Sequence, residues 1–169
     1  MKKRYPGTLS FGTNNTVIAL TEQEAGKLFG GDTRSDIGSE AEKMKFANGV
    51  NGLVVRFLRL DEWNDDTEML VMERLYPMDV RAYEYEKREI WLDVLEDELR
   101  ALHQAGFVHR DLQRPSDSFD NIMLTPTGFR LIDVGISALQ QQVGQRLFDR
   151  FVEQELTELT RFKEFVLSR

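Results

Sequence analysis

The sequence predicts an α+β chain, a small antiparallel sheet carrying one helix followed by a mainly helical unit. Three observations lead there. Short apolar and β-branched runs divided by Gly-, Asn- and Asp-containing turns fill the first 75 residues, with one helical pattern among them. The longest amphipathic pattern, Lys87 to Ala105, comes next and stops at Gly106. One further strand pair, about Thr125-Pro126-Thr127-Gly128, then gives way to a closing helical pattern from about Gln145.

The bulk properties narrow the classes. The chain has 169 residues, with 41% hydrophobic and 30% charged, as in an ordinary water-exposed globular domain. A net charge of -7 argues against a general nucleic-acid binder and against a basic membrane-surface protein. With no Cys and two His there is no disulfide framework, thiol nucleophile or His-rich metal site. Met1 to Gly7 carries basic residues with no apolar run behind them, so it is not a secretory signal, and no segment has the length of a transmembrane helix.

In order, Leu9 to Leu20 reads as strand, small-residue turn and strand, the second marked by Thr16-Val17-Ile18. Thr21 to Gly26 reads as a turn and Lys27-Leu28-Phe29 as a third strand. After the polar, Gly-rich stretch 30–36, Ser35 or Asp36 is placed to cap a helix running to about Asn48. Ile37, Glu40, Ala41, Met44 and Ala47 share one face of it, and Glu42 lies well around. Leu53–Leu60 and Glu68–Leu75 are two more strands, parted by the acidic turn 61–66, and Tyr76-Pro77 ends the second. In the long helix Ile90, Trp91, Val94, Leu95, Leu99 and Leu102 form the apolar stripe, with His103 a packing or capping residue. In the last helix Leu147, Phe148, Phe151, Val152, Leu156, Leu159, Phe162, Phe165 and Val166 recur at three- and four-residue steps.

The densest stretch is Leu99 to Gly135. It contains Leu99-x-x-Leu102-His103-x-x-Gly106, then His109-Arg110-Asp111-Leu112, Asn121-Ile122-Met123-Leu124 and Leu131-Ile132-Asp133-Val134-Gly135. One Asp precedes a strand hairpin, another follows it, and Asn121 opens it. Phosphoryl transfer from ATP needs such an arrangement: one carboxylate orients the attacking hydroxyl, and a carboxamide and a second carboxylate hold Mg²⁺.

In these motifs the chain resembles the protein-kinase-like superfamily, which carries HRD, a following Asn and DFG in this order. The resemblance implies a two-lobed fold, with residues 1–75 as the sheet lobe and 76–169 as a shortened helical lobe. It implies ATP and Mg²⁺ as cofactors, with Mn²⁺ able to substitute, and Ser or Thr hydroxyls of proteins as acceptors, this chain's own included. On the matching positions Lys27 is the strand Lys that meets the α- and β-phosphates, preferred to Lys43 and Lys45, which fall in the helix. Glu40 is its partner, with Glu42 in reserve; the Ser39-to-Met44 string also resembles the E-A-E segment of aminoglycoside-phosphotransferase-like kinases. Asp111 is the catalytic Asp, and Asn121 and Asp133 are the metal ligands. Gly12 matches the central Gly of the phosphate loop, with Ser10 and Asn15 in place of its neighbours. Met72 backs the adenine pocket, and the backbone of Glu73 to Leu75 supplies its hydrogen-bonding edge.

The chain departs from the family pattern between Asp111 and Asn121, where nine residues stand instead of four. The family's Lys two positions after the Asp is Gln113, and Arg114 is the candidate to restore its charge. After Gly135 there is no A-P-E and too little chain for a full activation segment. This brevity resembles the OspG- and NleH-type effector kinases that pathogenic bacteria secrete, which implies export into a host cell as an alternative to a cytoplasmic setting. It also implies, by analogy alone, a ubiquitin-conjugating enzyme as partner. Two other readings stand beside a protein kinase: a pseudokinase binding module and a small-molecule kinase of aminoglycoside or sugar type.

Overall fold

The computed structural model describes residues 7–11, 15–30, 37–65 and 67–168. Five antiparallel strands form the first sheet: β1 (Gly7–Phe11), β2 (Asn15–Ala19), β3 (Glu24–Gly30), β4 (Phe57–Asn64) and β5 (Thr67–Glu73), in the spatial order β1-β2-β3-β5-β4. Helix α1 (Ile37–Asn48) buries Glu40, Ala41, Met44 and Ala47, the face expected from their spacing. Two long helices, α2 (Tyr85–Ala105) and α4 (Gln145–Leu167), build the second part of the molecule. Between them lie β6 (Phe107–Val108), the hairpin β7 (Ile122–Thr125) and β8 (Gly128–Leu131), β9 (Ala138–Leu139), which pairs with β6, and the short α3 (Gln140–Val143). A continuous core runs from Phe29 and Met44 through Leu53, Val54 and Leu70 to Leu95, Leu99, Leu131 and Phe162. No helix among the described residues is long and apolar enough to cross a membrane.

Several boundaries differ from expectation, each for a local reason. β3 starts at Glu24 because the preceding turn is tighter than its polar composition suggests: Leu20 and Thr21 N–H both donate to Glu24 O, and Thr21 Oγ1 accepts from Gln23 and Glu24 N–H. The fourth strand runs Phe57–Asn64 rather than Leu53–Leu60. Leu53 to Val55 are apolar because they are buried at the junction of the molecule, where their backbone bonds to the distant β8 instead (Val55 N–H to Leu131 O and Leu131 N–H to Leu53 O, both 2.8 Å). In α2 the buried face is Leu92, Leu95, Leu99, Leu102 and His103, while Ile90 and Val94 point to solvent. Ile90 and Leu92 stand about 200° apart around a helix, so one stripe cannot hold both. The helix ends as the sequence suggests, at Gly106 with φ 103°, whose N–H returns to Leu102 and His103 carbonyls. In α4, Leu147 and Phe165 are exposed, and Glu155 and Glu158 are buried beside Phe148, Leu159, Phe162 and Val166.

Candidate active site

β3 lies inside the sheet between β2 and β5, so a long side chain from its inner face is enclosed on both sides. Lys27 takes that place and is 5% exposed. Its Nζ lies 2.7 Å from Glu40 Oε1 on α1 and 3.3 Å from Asp133 Oδ1, which follows the β7–β8 hairpin. One buried cation thus joins sheet, helix and hairpin. Burial raises the Glu40 carboxyl above its ordinary range even against Lys27, and its second oxygen, Oε2, has no hydrogen-bond partner among the described residues. Burial acts the same way on Asp133, but Lys27 and the Gly135 N–H prevail and hold it below the usual range. Lys43 reaches Gly135 O at 3.1 Å, Lys45 lies over the Phe57 ring, and Glu42 is exposed. Among the three lysines and two glutamates weighed from sequence, the structure brings Lys27 and Glu40 together.

Asp111 follows β6 on a loop held almost entirely by side chains. Glu155 Oε1 accepts from Arg110 N–H at 2.8 Å, and Oε2 accepts from His109 N–H at 3.2 Å and meets His103 Nε2 at 2.6 Å. His109 is fully buried; one ring nitrogen lies 2.8 Å from Ile132 O, and the other accepts from Asp111 N–H at 3.1 Å. This ring therefore links the Asp111 loop to the strand end before Asp133. Arg110 adopts φ 75° and Asp133 φ 57°, left-handed conformations that L residues seldom take without surrounding constraint. Burial raises the Asp111 carboxyl above the ordinary range, opposed by Arg114 and His109 and reinforced by Asp133. Asn121 Nδ2 donates to Asp111 O at 2.9 Å and to Asp111 Oδ2 at 3.1 Å. Although nine residues separate them in sequence, Asn121 lies beside Asp111.

The insertion is itself tied down. Arg114 N–H donates to Ser118 O, Asp117 N–H returns to Arg114 O with Asp117 at φ 57°, and Phe119 packs its ring on Phe162 and Phe165. The Gln113 side chain is held from both ends, accepting from Arg161 at 2.9 Å and donating to Asp117 at 3.1 Å. Arg114 is exposed and acts on Asp111 through its charge.

At the end of β5, Met72 is half-buried against the core. The N–H groups of Glu73 and Arg74 are already bonded, to Arg56 O and Gln23 O at 2.9 Å each. Of the three backbone positions expected to edge an adenine pocket, Leu75 keeps an N–H with no partner among the described residues. Gly12 lies outside the described residues.

The oxygen donors suit Mg²⁺. With Nδ2 spent on Asp111, Asn121 has its Oδ1 left without a donor among the described residues, and Asp133 likewise has Oδ2. No cluster of three or more His, Asp or Glu able to hold a metal occurs among the described residues. Two hard oxygens are an appropriate set for an ion that takes its other ligands from phosphate and water.

Sequence reasoning missed two elements of this region. Glu155 was overlooked because charged residues on an amphipathic helix are expected outside. The available signal was its spacing, seven residues from both Phe148 and Phe162 and hence on the buried face. Arg130 on β8 was also missed; it forms an ion pair with Glu73 across the back of the molecule.

No family model and no curated protein matches the chain. Among solved structures it is similar to the Cydia pomonella granulovirus kinase PK-1, with a TM-score of 0.60 and 14% identity over 82% of this chain. The match covers 55% of that kinase chain, so this protein spans about half its length. The likeness shows the fold: a protein-kinase-like arrangement of a small antiparallel sheet and a short helical lobe.

Proposed function

We propose that the protein transfers the γ-phosphoryl group of Mg²⁺-ATP to Ser or Thr hydroxyls of a protein, its own included. The observation that carries this reading is the convergence of Lys27, Glu40 and Asp133 in one ion-paired group, linked through His109 to Asp111 and Asn121, on a kinase-like fold. Lys27 would bind the α- and β-phosphates and Glu40 hold its ammonium in place. Asn121 and Asp133 would hold Mg²⁺, with Mn²⁺ able to substitute, and the bound ion would neutralise charge between the phosphates. Asp111 would orient the acceptor hydroxyl and take up its proton, and Arg114 would add positive charge beside it. Leu75 N–H would meet the adenine edge in front of Met72. Such catalysis is chiefly positioning and charge neutralisation.

One observation favours a second reading, a nucleotide-binding module without transfer. Gln113 replaces a Lys in the family pattern, and its side chain is committed to Arg161 and Asp117.

Labelled ATP with Mg²⁺ separates the two. Label on the native chain that both Asp111→Ala and Asp133→Asn abolish is expected. No label, together with an ATP·Mg²⁺-induced rise in melting temperature, would leave the binding module.

A further inference from the structure

The cleft behind the nucleotide side of the molecule has a volume of about 440 Å³ and is lined by polar groups from both parts of the fold, including Asn48, Arg56, Glu73, Glu98 and Arg130. Glu73 closes β5, two residues before Leu75; Arg130 lies on β8, three residues before Asp133. Their side chains form an ion pair between positions 57 apart in sequence. The same Glu73 oxygen accepts from Arg56 N–H at 3.0 Å, and Glu73 N–H donates to Arg56 O at 2.9 Å. Arg130 Nη2 also lies 3.4 Å from Val54 O, and its Nε is buried without a partner among the described residues. Asn48, the last residue of α1, fastens the adjoining segment by donating to Val54 and Val55 carbonyls at 3.2 Å and accepting from Phe57 N–H at 2.9 Å.

We infer that Glu73 and Arg130 are positioning residues for the reaction proposed above, fixing the adenine-edge segment at Leu75 relative to the hairpin that carries Asn121 and Asp133. The Glu73 carboxylate is anchored to the Arg56 backbone of the sheet part, and the Arg130 guanidinium is carried by β8 of the hairpin and also reaches Val54 O. Their pair closes the back of the same junction whose front holds Lys27 between Glu40 and Asp133. A guanidinium with only 13% of its side chain exposed strongly favours an oppositely charged neighbour. Glu73, which the guanidinium contacts directly, is its counter-ion, whereas Glu98 faces it through charge alone among the described residues. With the pair open, the junction loses one of its side-chain ties and relies on others, among them the Leu53–Val55 backbone bonds to Leu131, the Lys27 group, Lys43 to Gly135 O and Asn51 to Glu98 O. The distance between the adenine edge and the metal ligands then becomes variable. Affinity for Mg²⁺-ATP, which spans that distance, is the quantity expected to suffer.

The inference rests on the reading of the front site as a nucleotide site, so its test has a readout independent of turnover. Glu73→Gln, Arg130→Met, their double variant and Arg130→Lys are compared with the native chain. Amide hydrogen exchange at Val55 and Leu131 is measured without nucleotide, and KM for ATP and kcat are taken from Mg²⁺-dependent autophosphorylation well below each melting temperature. Both single variants are expected to speed exchange at these amides and to raise KM by about tenfold, with kcat changed less. The double variant should cost no more than either single one. Arg130→Lys, which keeps the charge, should recover most of the native KM. Unchanged exchange, or faster exchange with native KM, would overturn the positioning role, as would equal effects of Arg130→Lys and Arg130→Met. A native chain that neither binds nor turns over ATP would instead overturn the nucleotide reading, and the exchange data would still report whether the pair ties the junction.

Discussion

His103 Nε2 and Glu155 Oε2 lie 2.6 Å apart in the interior, joining two helices through residues 52 positions apart. The same carboxylate takes the His109 and Arg110 amides, so a helix-to-helix contact also fixes the backbone leading into Asp111. Removing it leaves three donors, two of them buried, together without their acceptor. Glu155→Ala is therefore expected to cost about 3–5 kcal/mol in denaturant unfolding, and Glu155→Gln distinctly less because an amide oxygen still accepts. Native-like unfolding of Glu155→Ala would contradict this account.

Lys27 lies between two carboxylates, Glu40 at 2.7 Å and Asp133 at 3.3 Å. Lys27→Met should remove the nucleotide's grip on the site. At ligand near 100 times its Kd the native chain should gain about 2.7 kcal/mol of stability from Mg²⁺-ATP, and the variant essentially none. Thermal unfolding with and without nucleotide reads this directly, and an equal gain in both would remove Lys27 from the site.

The pH dependence of transfer should carry the mark of Asp111. In the proposed reaction it would have to be ionised to accept the hydroxyl proton, and burial raises it above the ordinary aspartate range. The acid limb of autophosphorylation is thus expected above the usual value of about 3.9. Arg114 opposes that rise, so Arg114→Ala should move the limb further toward neutrality. A limb that moves downward would argue that Arg114 acts elsewhere.

Glu158, one turn beyond Glu155, gives a stability prediction of definite sign. Burial, with the Glu155 charge next in effect, pushes its carboxyl from 4.5 up to about 7. Between those values the folded chain holds a proton that the unfolded chain releases, so native stability falls as pH rises through that window. Glu158→Gln has no such proton to lose. Its stability relative to the native chain should grow from pH 4.5 to pH 7 and then level off, in paired denaturation curves at each pH. A constant difference would show that Glu158 is not held protonated by its surroundings.

What the sequence disclosed follows from how local each determinant is. The Lys27 strand and the Glu40 face of α1 are set by neighbours in the chain, and Asp111, Asn121 and Asp133 are set by one loop and one hairpin. Their placement on these elements was legible for that reason, and their assembly, in which Lys27 meets Asp133 106 residues away, through the order of the motifs and its resemblance to the kinase pattern. The displacement of β4 was not, because the partner of Leu53 to Val55 is Leu131, and no nearby residue announces it. Ile90 and Val94 show the same limit: apolar side chains on a helix permit several stripes, and only the packed neighbour chooses. Glu155 and Arg130 are harder still, since a charged residue becomes an interior one only when another segment supplies its counterpart.

The bonds between Leu53, Val55 and Leu131 also bear on the order in which the chain can be finished during synthesis. Asn48 and Asn51 serve part of the junction segment after α1 as it leaves the ribosome, but Leu53 O and Val55 N–H wait for Leu131, made 76 residues after Val55. Until then the apolar Leu53-Val54-Val55 run has no lid and must stay loosely associated or guarded by a chaperone. A fragment ending near residue 75 should therefore expose this run and aggregate, whereas one extended past β8 should close over it.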